Sequence, residues 1–153
     1  MGWSHRDSWE VCLVLQALET LQYELECANF QAVKVRYSIS FMRERSVPKF
    51  NAAVGKRFDF SVLVNNGIFR REFLIEIHGK QHYEITSLGY RARESDGLKA
   101  QYAEGYEIPL LVLRDTEVVR LHFDEKLAEQ IRAFLGISNP YAAGAAGTRG
   151  QGD

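Results

Sequence analysis

Two apolar runs, 57–64 and 69–77, flank the tripeptide Asn65-Asn66-Gly67. Asn-Gly is a strong hairpin signal, because tight hairpin turns need residues that accept positive φ. Both runs are rich in Val, Ile, Leu and Phe, the residues of buried strands. An antiparallel pair is therefore the most constrained part of this chain. Two acids interrupt it: Asp59 within Phe58-Asp59-Phe60, and Glu76 within Phe73-Leu74-Ile75-Glu76-Ile77. Charged side chains are rarely buried unless paired or bound to metal. Strand alternation puts Glu76 and His78 on one face, with Ile75 and Ile77 on the other. If Asp59 faces Glu76 across the hairpin, the two carboxylates suit a hard divalent cation that retains several waters. The alternative is a polar edge whose acids meet solvent or the Arg70/Arg71 pair.

The remainder supplies a frame for that hairpin. Val11, Val14, Leu15, Leu18, Leu21 and Leu25 recur at three- and four-residue steps, which predicts an amphipathic helix over 8–26. Asp7 can cap it. Alternation at Val33, Val35, Tyr37, Ile39 and Phe41 predicts a strand over 33–41, followed by a loop over 42–55 containing Pro48 and Gly55. A polar loop over 78–93 leads to a helix over 95–104 with Gly105 at its C-terminus. Ile108 to Leu113 reads as a buried strand. A last helix over 124–135 buries Leu127, Ile131, Phe134 and Leu135 and stops at Gly136. The order α-β-β-β-α-β-α describes an α/β fold, a small mixed sheet flanked by helices. Residues 1–137 make one domain, and 138–153, rich in Ala and Gly, read as a disordered tail.

Charge is distributed unevenly. The formal net charge is −1, yet residues 34–57 hold Lys34, Arg36, Arg43, Arg45, Lys49, Lys56 and Arg57 against Glu44 alone, a local net of +6. Tyr37, Phe41 and Phe50 are interleaved. Such a segment is either a solvated loop or a phosphate-contacting surface, for which the local field matters more than the total. No run of apolar residues reaches the length of a membrane span. There is no signal-peptide pattern at the start, and Cys12 and Cys27 form no framework or metal-finger spacing. A cytoplasmic protein with reduced thiols, away from any membrane, is the expectation.

The acids sit in a longer text. Arg57-Phe58-Asp59-Phe60 precedes Ile75-Glu76-Ile77-His78-Gly79-Lys80-Gln81-His82-Tyr83, and Asp96-Gly97-Leu98-Lys99-Ala100-Gln101-Tyr102-Ala103 follows. This resembles the PD-(D/E)XK nuclease superfamily, with its restriction-endonuclease-like core, over roughly residues 7–114. It looks closest to the small phage, homing-endonuclease and Vsr-like branches. The resemblance implies that Asp59 and Glu76 bind Mg²⁺ or Mn²⁺, that Gln81 lies at the active-site mouth, and that Lys99 is a lysine relocated to a helix. Ser8-Trp9-Glu10-Val11 is similar to the opening of these proteins, which makes Glu10 a first-helix acid and a third metal ligand. Asp7-x-x-Glu10 equally reads as a capping box.

One departure is chemical. The superfamily's lysine falls at position 78, where this chain has His78, a residue that is not a permanent cation at neutral pH. Catalysis then rests on Lys99, Gln81 or His78. The resemblance implies a metal-dependent DNA endonuclease of homing or phage type. The basic segment, with Lys80, would hold the DNA backbone, since phosphate contacts supply affinity and register. Cutting both strands needs two sites, so a homodimer or higher homo-oligomer is expected. The rivals are a non-catalytic DNA-binding or assembly module on the same fold, and a small α/β protein that binds only protein partners.

Overall fold

The computed structural model describes residues 8–31, 37–46, 57–79 and 87–137. The first helix, α1, spans Trp9–Gln31. The amide of Val11 donates to the Ser8 hydroxyl (3.2 Å), so Ser8 is the residue that caps the helix. Glu10 therefore sits at the second helical position, one short of the place a capping box requires. All six apolar residues of the expected face are buried. The helix runs five residues past 26, where Cys27 to Gln31 contain no breaker.

Four strands follow the order β1-β2-β3-β4 in one mixed sheet. They are β1 (Ser38–Ser46), β2 (Arg57–Asn65), β3 (Arg70–His78) and β4 (Leu110–Arg114). The hairpin forms as expected: β2 and β3 pair antiparallel from Phe60–Ile75 to Asn65–Arg70. Its turn is longer than a two-residue Asn-Gly link, with Asn66 N bonded to Phe69 O (3.3 Å). Gly67 takes φ +92, which a side chain would oppose.

Of the strand expected over 33–41, the described part begins at Ser38, and residues 33–36 lie outside the described residues. The strand continues through Met42-Arg43-Glu44-Arg45, where the sequence predicts the start of a loop over 42–55. An edge strand tolerates this charge because one face meets water. Arg43 lays its guanidinium over the Phe60 ring, 5.2 Å from the centroid, and Arg45 reaches Glu72.

Helix α2 (Ser87–Gly105) starts eight residues before the expected 95 and carries the chain from β3 to β4. These strands pair parallel from Leu74–Leu110 to His78–Arg114, completing a β-α-β unit. Two helices follow β4 where one was expected. They are α3 (Asp115–Phe123) and α4 (Leu127–Leu135). Val118 and Leu121 anchor α3, Asp115 and Glu117 suit its start, and Arg120 and His122 suit its end. α4 ends at Gly136 with φ +71, the left-handed cap expected there.

The sheet has two unequal faces. Val14, Leu18, Phe60, Val62, Ile75, Leu113, Val118 and Ile131 join α1, α3 and α4 to one face in the main core. On the other face Tyr102 and Ala103 of α2 pack on Phe58 and Leu74. The fold is mixed α/β. Among the described residues no helix is long and apolar enough to cross a membrane.

Candidate metal centre

The site begins as a fault in the sheet. Pairing between β1 and β2 passes over Glu44 and Asp59, and the β2–β3 ladder ends at Phe60–Ile75. Glu44 has φ +53, unusual for a side-chain-bearing residue. Before the fault, Phe60 and Val62 point into the main core; beyond it Phe58 points to the α2 face instead. Strict alternation fails here, and the freed backbone groups take side-chain partners. The amide of Asp59 donates to Glu76 Oε1 (3.0 Å), and the amide of Ile77 donates to Asp59 Oδ2 (2.8 Å). The two acids thus face each other across the hairpin as the sequence suggested.

α2 brings the remaining groups. Asp96 and Lys99 are three residues apart, so they project from one side of the helix. Lys99 Nζ forms an ion pair with Glu76 Oε2 and lies 5.7 Å from the Phe58 ring centroid. His78 Nε2 is 3.4 Å from Asp96 Oδ1. Ligand-capable atoms of Glu76, His78 and Asp96 lie within 4.8 Å of one another. Glu76 is 4% exposed and His78 7%. Burial, reinforced by the nearby Asp59 charge, pushes the Glu76 carboxyl up to about 7, while Lys99 pulls in the opposite direction. The Glu76 proton is thus lost close to neutral pH, and a cation placed there competes with it.

A second polar group lies alongside. Glu72 Oε2 accepts from Arg45 Nε (2.9 Å) and from the Ser61 hydroxyl. Both this carboxylate and Tyr102 raise the already high Arg45 pKa. On the β4 side, Val112 registers with Glu76 and Arg114 with His78. Val112 and Arg114 are exposed, so this flank is open to solvent.

The structure gathers Glu76, His78 and Lys99, with Asp59 adjoining. Asp96 joins them without a role expected from the sequence; its i, i+3 spacing from Lys99 is the signal that marks it. Glu10 is not in the gathered group of ligand atoms. Of the basic segment, Arg45 is engaged by Glu72, and Arg57 meets Glu44 at 3.3 Å on the surface. Arg43 is half-buried over Phe60. Gln81, Lys34, Arg36, Lys49, Lys56 and Lys80 lie outside the described residues. Comparison with protein families, with curated proteins and with solved structures found no match in any of the three.

Proposed function

We propose that this protein is a metal-dependent nuclease that hydrolyses phosphodiester bonds in DNA. The observation that carries the reading is the convergence of Glu76, His78 and Asp96 within 4.8 Å, beside Asp59 and Lys99, where the ladder opens. The donor set passes a chemical test for a divalent ion. Two carboxylates and one imidazole, all largely withdrawn from water, suit a first-row cation. The imidazole favours Mn²⁺ over Mg²⁺, which prefers oxygen alone. When bound, such an ion makes a hydroxide available near neutral pH and polarises a phosphoryl oxygen.

The chain's own groups divide the remaining work. Asp59 and Glu76 hold each other's strand in place through reciprocal backbone bonds, fixing the carboxylates without flexible loops. Lys99 supplies a permanent cation for charge developing on the phosphoryl oxygens. Asp96 brings its carboxylate within 3.4 Å of His78 Nε2, and both groups would contribute ligand atoms to a bound ion. Arg114, exposed beside His78, offers a further cation to the DNA backbone.

The test is a cleavage assay on linear, nicked, branched and mismatched DNA with Mn²⁺, run beside Asp59→Ala and Glu76→Gln. Cleavage by the wild type, none in EDTA and at least a hundredfold loss in each variant are expected, since such groups contribute about 10²–10³ or more. Full activity in EDTA, or in Asp59→Ala, would overturn the reading. One observation favours the non-catalytic DNA-binding module: Lys99 already neutralises Glu76 without a metal. Calorimetry with Mn²⁺ separates the two, because only the nuclease requires heat of binding that disappears in Glu76→Gln.

A further inference from the structure

A pocket of about 310 Å³ opens on the opposite face of the hairpin from the acidic site, where β2 and β3 meet the end of α4. We infer that it binds a single unpaired nucleotide of a nucleic-acid strand. The inference takes its ligand class from the DNA reading above but uses none of the metal-site residues. Tyr37, Asn66, Phe69, Arg71, Phe73 and Phe134 carry the argument. Phe73 and Phe134 form a fixed aromatic floor, edge to face at 5.5 Å and 76°. Phe69 is 63% exposed at the rim, and its neighbour Ile68 at the hairpin tip is 86% exposed.

Large apolar side chains at a hairpin tip are unfavourable in water, and this tip is held rigidly in that state. Asn65 Oδ1 accepts from the Gly67 amide (2.8 Å), and Asn66 Oδ1 accepts from Ile68 (2.9 Å) and Phe69 (3.1 Å). With its oxygen committed, the Asn66 carboxamide has only donor hydrogens left for a ligand. A pre-set turn presents Phe69 with its backbone already ordered, which lowers the cost of binding.

The polar complement fits a nucleotide in particular. Arg71 lies over Phe73, 5.4 Å from the ring centroid, and no described carboxylate pairs with it. Arg70 adjoins it, and residues 65–71 hold no acid. Aromatic rings receive a base by stacking regardless of its identity, and a guanidinium receives the phosphate. The Asn66 amide can donate to a base carbonyl. A volume near 300 Å³ is at the small end of ligand sites and matches one base with its sugar.

The test uses a short single strand containing 2-aminopurine, titrated in EDTA so that the metal site stays silent. Stacking should quench the probe's fluorescence. Phe69→Ser, at an exposed position that leaves the core intact, should weaken binding about tenfold, in line with single base–aromatic stacks. Arg71→Gln should lower the slope of log affinity against log salt by about 0.7. A fully paired duplex should bind wild type and Phe69→Ser alike. Unchanged strand affinity and salt slope in both variants would overturn the inference. So would Phe69-dependent binding to anionic lipid vesicles without strand binding, which would make the tip a membrane anchor. Because EDTA is present, absence of Mn²⁺-dependent cleavage would remove the nuclease reading and leave this result standing.

Discussion

At the scale of single residues, Glu76 concentrates most of the chemistry. Its carboxyl is raised from 4.5 to about 7, with burial the largest cause and Asp59 the second. A folded-state pKa above the unfolded one means that the native protein holds a proton which the unfolded chain has released. This group's stabilisation is fully present below pH 4.5 and is lost as pH rises to about 7. At about 1.4 kcal/mol for each pKa step, the loss is about 3 kcal/mol. The expected outcome is a falling urea-unfolding free energy for the wild type between pH 5 and pH 7.5, relative to Glu76→Gln. A difference between the two proteins that stays flat over this range would mean that Glu76 ionises normally. The position of this acid was legible because a carboxylate inside an apolar strand run is an anomaly. Asp96 was less legible: it lies in a polar helix segment where acids are ordinary, and only its partner His78 gives it a role.

At the scale of elements, the sequence signals succeeded where one force dominates. Six evenly spaced apolar residues define α1, and Asn-Gly defines the β2–β3 turn. They failed where tertiary contacts decide. β1 continues through Arg43 and Arg45 because Phe60 and Glu72 on neighbouring strands receive them. α3 contains Val118, Val119 and Phe123, weak helix formers, and its helicity depends on burying Val118 and Leu121. The joint between α3 and α4 turns at Glu125, with φ +59. A left-handed residue with a side chain carries about 1–2 kcal/mol of strain. Glu125→Gly should therefore stabilise the protein by about 1 kcal/mol, raising the melting temperature by about 3 °C. Gly136, also left-handed, already uses the permissive residue. Gly136→Ala should destabilise by about 1 kcal/mol. Calorimetric melting of both variants checks the opposed signs, and two shifts in the same direction would contradict the assignment.

At the scale of the whole molecule, the sheet divides the protein into a strongly packed side and a weakly packed one. α1, α3 and α4 share the main core, which contains Val14, Leu18, Phe60, Ile75, Val118 and Ile131, each fully buried. α2 is joined to the sheet by the small cluster around Phe58, Leu74, Tyr102 and Ala103, and by the polar contacts of Asp96 and Lys99. Elements with few buried apolar contacts open at lower free energy than the global transition. Among the described residues, the helix that completes the candidate metal centre is thus joined to the sheet by the smaller apolar cluster. Part of its attachment is the ion pair to Glu76, a group that is half-protonated near pH 7. A divalent ion bridging Glu76 and His78 on β3 to Asp96 on α2 would tie the helix to the sheet at the point where apolar packing is thinnest. Binding to the closed form alone stabilises it by mass action, about 2.7 kcal/mol at a hundredfold excess over Kd. Native-state hydrogen exchange should then show α2 amides exchanging well before those of α1, β2 and β3 in EDTA. Saturating Mn²⁺ should slow α2 by up to about a hundredfold while leaving the α1 amides nearly unchanged. Uniform protection across both faces would place the ion elsewhere. Equal exchange of α1 and α2 in EDTA would mean that the sheet opens as one unit, with the candidate site as stable as the core behind it.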